Sequence, residues 1–252
     1  MTFHTYGNEE NKTAVFVHGL LSPWQIWEPV IEKFKQEYFV IVPELDAHTE
    51  DEVSAFRSVE DEAKTIAEYI RENREGKIDI LAGLSMGGRI AATLAGITDI
   101  RINDLVLDGA PLLPLPKIFI KIMENNYIAI IRRSKKRDPK VIENFKRDFL
   151  PEIYLDPFLK LADNMEEESL RNILSSVFSP FEFKRHDDSM RILCMHGTRS
   201  NEVLAAKSAR RMKEINPQTN VKIFKDYKHA QLLCNEPSKW SEEVNRWLRT
   251  EA

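Results

Sequence analysis

Gly83-Leu84-Ser85-Met86-Gly87 is the stretch that decides the fold. It reads G-x-S-x-G, a turn that lifts a serine clear of a sheet when a strand precedes it and a helix follows. Both neighbours fit. Ile78-Asp79-Ile80-Leu81-Ala82 has the apolar content of a buried strand, and Arg89-Ile90-Ala91-Ala92-Thr93-Leu94-Ala95 reads as a helix. Glycines at 83 and 87, with Gly88 behind, remove side chains that would collide in so tight a turn. The Ser85 hydroxyl is then exposed. The Met86 N–H, at a helix N-terminus, points toward any oxyanion formed beside it.

Strand and helix patterns alternate on either side of this turn. Thr13–Val17, Tyr38–Val42, Leu105–Leu107, Arg191–Met195 and Val221–Phe224 are further strands by their β-branched and apolar content. Helical spacing covers Pro23 to Gln36, Ser58 to about Glu75, Val203 to Ile215 and Pro237 to Leu248, and Ser58 with Asp61 has the look of a helix start. Near-continuous apolar strands separated by helices predict an α/β fold: a mostly parallel central sheet with helices on both faces.

Residues 111–188 interrupt the alternation, with helical patterns and no convincing strand. Pro111, Pro114 and Pro116 mark the entry, and Asp187-Asp188 the exit. The expected organisation is a core of residues 1–110 and 189–252 carrying a helical cap, 111–188, inserted after the sixth strand. Lys117 to Leu150 holds ten Lys/Arg and four Asp/Glu, and Pro151 to Glu168 one Lys and six Asp/Glu. Two readings stay open for this asymmetry: solvated helix faces, or a basic cap face that attracts an anionic substrate. The Arg132–Arg137 run reads equally as a mobile loop or a binding patch.

Composition excludes several classes. A net charge of -4 gives no global argument for nucleic acid. No apolar run approaches the roughly 20 residues of a membrane span, and Met1–Tyr6 lacks the pattern of a signal peptide. Two cysteines, Cys194 and Cys234, make no disulfide framework, and Cys194 sits in an apolar run suited to a buried thiol. These features suit the cytoplasm. No histidine–carboxylate spacing suggests a metal, and no glycine-rich loop ends in Lys-Ser/Thr, so no cofactor is expected.

Ser85 needs partners. His229, in Asp226-Tyr227-Lys228-His229-Ala230 after the last strand, lies on the same sheet edge and is the expected base. His18-Gly19-Leu20 follows the first of these strands, where a second oxyanion donor belongs; the Leu20 N–H is assigned to it, and His18 is read as ordering the loop. His48 is near enough to reach the site mouth.

Taken together, His18-Gly19 with Trp24 and Trp27, the Gly83–Gly87 turn, His196-Gly197 after a strand, and His229 resemble an α/β-hydrolase fold enzyme over essentially the whole chain. The resemblance implies the order nucleophile, acid, histidine, and a cap over Ser85 that shapes the pocket. It also implies an aspartate three residues after Gly197, where this chain has Ser200. Glu202, two residues on, is the preferred substitute, and Asp108 at the end of the neighbouring strand is the alternative. Asp46-Ala47-His48-Thr49 departs from a loop in which relatives carry glycines. The expected function is hydrolysis of a small carboxylic ester or thioester through an acyl-enzyme on Ser85. The alternatives are an acyltransferase or C–C hydrolase on the same site, and a binding protein that kept the pocket.

Overall fold

In a computed structural model, which describes residues 1–187 and 189–250, seven strands form one sheet in the order β1-β3-β2-β4-β5-β6-β7. These are β1 (Thr2–Tyr6), β2 (Lys12–Val17), β3 (Tyr38–Glu44), β4 (Lys77–Leu84), β5 (Arg101–Asp108), β6 (Arg191–Gly197) and β7 (Asn220–Phe224). All neighbours are parallel except β1, which runs antiparallel to β3. The parallel strands are apolar because helices cover both faces. Ala14, Val15, Phe16 and Val17 of β2 are fully buried. β1 has no such run: as an edge strand it is only half covered, so its sequence, Thr-Phe-His-Thr-Tyr, carries a weak signal.

Ten α-helices are present among the described residues: α1 (Glu28–Phe34), α2 (Val59–Arg74), α3 (Met86–Leu94), α4 (Lys117–Lys135), α5 (Pro139–Asn144), α6 (Leu155–Asn164), α7 (Glu167–Val177), α8 (Val203–Ile215), α9 (Gln231–Asn235) and α10 (Pro237–Leu248). Local chemistry sets several ends. The Ser58 side chain accepts a hydrogen bond from the Asp61 N–H at 3.0 Å, with Glu60, Asp61 and Glu62 in the first turn of α2 and Arg71 and Arg74 in its last. The helix expected over 23–36 is split into a 3-10 turn, Trp24–Trp27, and α1.

Helices α4 to α7 lie between β5 and β6, and no strand occurs there among the described residues. This segment follows the fifth strand in chain order rather than a sixth, because five strands precede it, β1 included. Asp188, part of its expected exit, lies outside the described residues. Its two charge blocks are joined by ion pairs. Arg137 makes a two-point contact with Asp163 at 2.7 and 2.6 Å, and Arg132 pairs with Glu167 at 2.5 Å. Arg132, Arg133 and Lys135 form the last turn of α4, so most of the basic run is helix and not a loop.

The sheet order reverses between β2 and β4. β3 lies on one side of β2, and the chain then continues through β4 on the other. Loops leaving the carboxyl ends of strands part at such a point and open a crevice for ligands. His18-Gly19-Leu20 and Ser85 stand on its two sides.

Candidate active site

Ser85 joins β4 to α3 with φ 53° and ψ -115°, a conformation that costs a non-glycine residue on the order of 1–3 kcal/mol. Its surroundings enforce it. A β-carbon on Gly83 would lie 2.3 Å from the Gly87 carbonyl oxygen, and one on Gly87 would lie 2.2 Å from that of Val17. The Ser85 N–H donates to the Asp108 carbonyl at 2.7 Å, and the Ser85 carbonyl accepts the Arg89 N–H at 3.1 Å, closing the first turn of α3.

Ser85 opens into a cavity of about 600 Å³. Leu20, Met86 and His229 line the same cavity, so four residues singled out in the sequence converge there. The helical segment supplies an apolar wall that includes Met123, Tyr127, Phe149, Ile173 and Phe178. Lys207 and Lys228, both exposed, line it as well.

The loop after β7 carries His229 on two left-handed residues, Asp226 (φ 65°) and Ala230 (φ 61°). The carbonyl of Tyr227 accepts the N–H groups of Thr198 (3.2 Å) and Arg199 (3.1 Å), tying this loop to the one after β6. A 3-10 turn, Ser200–Glu202, then folds Glu202 back toward the sheet. Its Oε1 bonds Nδ1 of His229, and its Oε2 accepts the Gly197 N–H at 2.8 Å. Glu202 is 2% exposed. The side chain of Ser200, the residue reached by counting three from Gly197, lies outside the described residues. Burial opposes charge on His229, but the hydrogen bond and the negative charge of Glu202, aided by Asp108, outweigh it and raise the imidazole above its ordinary value.

Asp108 is turned elsewhere. Its Oδ2 accepts the indole N–H of Trp240 at 3.0 Å. Burial, and then the charge of Glu202, push its carboxyl up to about 7, against the weaker pull of His229 and Trp240. Gly109, which follows it, is a site feature that the sequence reading missed. A β-carbon there would lie 2.8 Å from His229 Cε1, and its φ is 62°. The only signal for it was a glycine placed directly after a strand.

Two other histidines order the loop that follows β2. The Leu45 N–H donates to Nε2 of His18 at 3.2 Å, and the Leu21 N–H donates to Nε2 of His48 at 3.1 Å. The loops after β2 and β3 are thus stitched in both directions. Burial holds His18 down to about 3 and His48 to about 4, so both are neutral and their Nε2 atoms are free to accept. The loop that departs from the expected glycines keeps a left-handed turn at Ala47 (φ 62°), whose N–H donates to the Ser54 hydroxyl at 2.9 Å. Cys194 and Cys234 are buried free thiols, both pushed up to about 12 by burial.

Three solved structures show how general this scaffold is. A protein of Desulfitobacterium hafniense assigned to the alpha/beta hydrolase family aligns with a TM-score of 0.78 at 22% identity, covering 98% of this chain and 100% of its own. MenH from S. aureus aligns with a TM-score of 0.72 at 19% identity, covering 98% and 97%. The enol-lactonase of Burkholderia xenovorans LB400 aligns with a TM-score of 0.75 at 13% identity, covering 99% and 96%. At these identities the likeness is one of fold. No curated protein sequence gives a significant match. The sequence profile of the alpha/beta hydrolase family matches residues 14–239, and the chain belongs to that family.

Proposed function

We propose that the protein is a serine hydrolase of small carboxylic esters or thioesters, with Ser85 as nucleophile, His229 as general base and Glu202 as the acid that orients it. The observation that carries this reading is the Glu202–His229 pair, on a histidine that lines the same cavity as Ser85. A carboxylate on Nδ1 fixes the tautomer that leaves Nε2 available to accept a proton. Asp108 is the weaker candidate, since its carboxylate faces Trp240 and its raised pKa favours the neutral form.

In this reading His229 Nε2 takes the Ser85 proton as Oγ adds to the ester carbonyl. The oxyanion is held by the N–H groups of Met86 and Leu20. The imidazolium returns the proton to the departing alcohol or thiol, leaving an acyl-enzyme on Ser85. Water, deprotonated by His229, attacks the acyl carbon, and the acid leaves with Ser85 restored. Residues 111–188 act as the cap over a core of 1–110 and 189–252, and their apolar wall suits an apolar acyl or alcohol group.

An acyltransferase or C–C hydrolase would use the same groups. The binding-protein alternative rested on a missing aspartate, and a buried glutamate on His229 weakens it. A fluorophosphonate probe tests the core of the reading: labelling of the wild type is expected, with loss in Ser85→Ala and strong reduction in His229→Ala. No labelling of the wild type would sink it.

A further inference from the structure

Arg89 lies on α3, four residues after Ser85, and is 1% exposed. Among the described residues no carboxylate bonds to it, and Nε finds no acceptor. Its guanidinium instead reaches both ends of the helical segment. Nη1 donates to the Leu112 carbonyl at the entry (3.5 Å). Nη2 donates to the Ser179 hydroxyl and the Pro180 carbonyl, on the exit side just after the last helix of the segment, α7, both at 3.2 Å. The guanidinium carbon stacks 4.6 Å from the ring centre of Phe181. The two ends are also joined to each other, because the Leu115 N–H donates to the Phe178 carbonyl at 3.2 Å.

Burying a guanidinium is costly; the Glu60 carboxylate attracts it without a hydrogen bond, so the cost is met mainly where its donors find acceptors. Leucine or methionine would fill the space on an ordinary α3 without that cost. What only a planar, multi-donor group does here is hold two chain segments, far apart in sequence, against one helix. Pro111 and Leu115 flank the entry contact at Leu112, and Val177 and Phe178 immediately precede the contact at Ser179 and Pro180; all four line the Ser85 cavity.

We infer that Arg89 is a positioning residue: it clamps the entry and exit of the helical segment to the helix that begins at Ser85, and so fixes the wall that receives the acyl group. The part of this that concerns acyl groups rests on the hydrolase reading above; the clamp itself does not. Arg89 also borders a second cavity of about 300 Å³, lined by Thr93, Phe181 and His186 among others, which gives a small guanidinium in solution a route to its place.

The test uses Arg89→Ala and the gentler Arg89→Lys, with two readouts. Amide hydrogen exchange compares residues 112–116 and 178–186 with α2 as an internal reference. Kinetics compare p-nitrophenyl acetate with p-nitrophenyl octanoate. Faster exchange confined to the two hinge segments is expected in both variants. The octanoate KM should rise roughly tenfold in Arg89→Ala, the loss of one charged hydrogen-bonding group, while kcat on acetate stays within roughly threefold. Methylguanidinium should restore the octanoate KM of Arg89→Ala and leave wild type unaffected. Unchanged hinge exchange in a folded variant overturns the clamp. An unchanged octanoate-to-acetate ratio with altered exchange overturns its role in shaping the pocket. If wild type hydrolyses neither ester, the hydrolase reading has failed, and the exchange measurement still decides the clamp.

Discussion

Gly109 forms the floor on which His229 rests: a β-carbon at that position would come within 2.8 Å of the imidazole Cε1 and 2.9 Å of Nδ1. Its backbone, at φ 62°, also disfavours any side chain. Gly109→Ala therefore has to move the ring away from Glu202 or strain the turn. The expected result is a fall in kcat of on the order of 10²-fold, in line with the cost of an ångström-scale misplacement, with a stability loss of about 1–2 kcal/mol. Steady-state kinetics beside urea melts would separate the two, and an unchanged kcat would show that the ring position is not set here.

Glu202→Gln removes the charge and keeps the shape. The loss of a triad carboxylate costs on the order of 10⁴ in turnover, and a drop of more than about 10² in kcat is expected here. The pH dependence supplies an independent check. In the proposed mechanism His229 acts as base only when neutral, so activity is expected to appear as pH rises through its pKa. Glu202 raises that pKa, so the acidic limb of kcat/KM should lie above the ordinary histidine value in wild type. In Glu202→Gln it should move to lower pH, although the plateau is lower. A limb that stays in place would mean that Glu202 does not control this ring.

How far the sequence reached depended on whether the constraint was local. The turn at Ser85 was legible because Gly83 and Gly87 meet backbone atoms at fixed, short range. The central strands were legible because burial on both faces leaves unbroken apolar runs such as Ala14–Val17. β1 was missed: it is an edge strand, only half covered, and its sequence Thr-Phe-His-Thr-Tyr lacks the Val and Ile that made the other edge strand, β7, legible. Glu202 was reachable only as a preference over Asp108, because its pairing depends on the 3-10 turn at Ser200–Glu202 and on the Tyr227 carbonyl holding the neighbouring loop. Arg89, Gly109 and the pairing of Arg137 with Asp163 were invisible for the same reason: each is decided by a partner far away in the chain.

The histidine stitch predicts an acid-sensitive fold. His18 and His48 titrate at about 3 and 4 when folded, against the usual 6.5 when unfolded. Between those limits the unfolded chain binds more protons, so their contribution is complete above about pH 6.5 and is lost as pH falls toward 4. Glu62, raised to about 8, acts in the opposite sense over part of that range, so a difference measurement is needed. His48→Gln keeps an acceptor for the Leu21 N–H and removes the titration. Its stability should fall less than that of wild type between pH 6.5 and 4, by on the order of a few kcal/mol, as read from chemical denaturation at each pH. Parallel curves would show that His48 is not buried neutral.

Asp108→Asn separates the two candidate acids. An asparagine oxygen can still accept the Trp240 N–H, so the substitution preserves the 3.0 Å hydrogen bond between position 108 and Trp240. It also removes a carboxyl that competes with Glu202 for negative charge in a buried space. The expected change in kcat/KM is less than roughly tenfold, far below the effect of losing a triad acid. Asp108 adds to the raised pKa of His229, so the acidic limb should shift slightly downward. Should Asp108→Asn instead abolish turnover while Glu202→Gln leaves it within about tenfold, the acid is Asp108, and the Glu202–His229 bond is a resting arrangement that substrate must break.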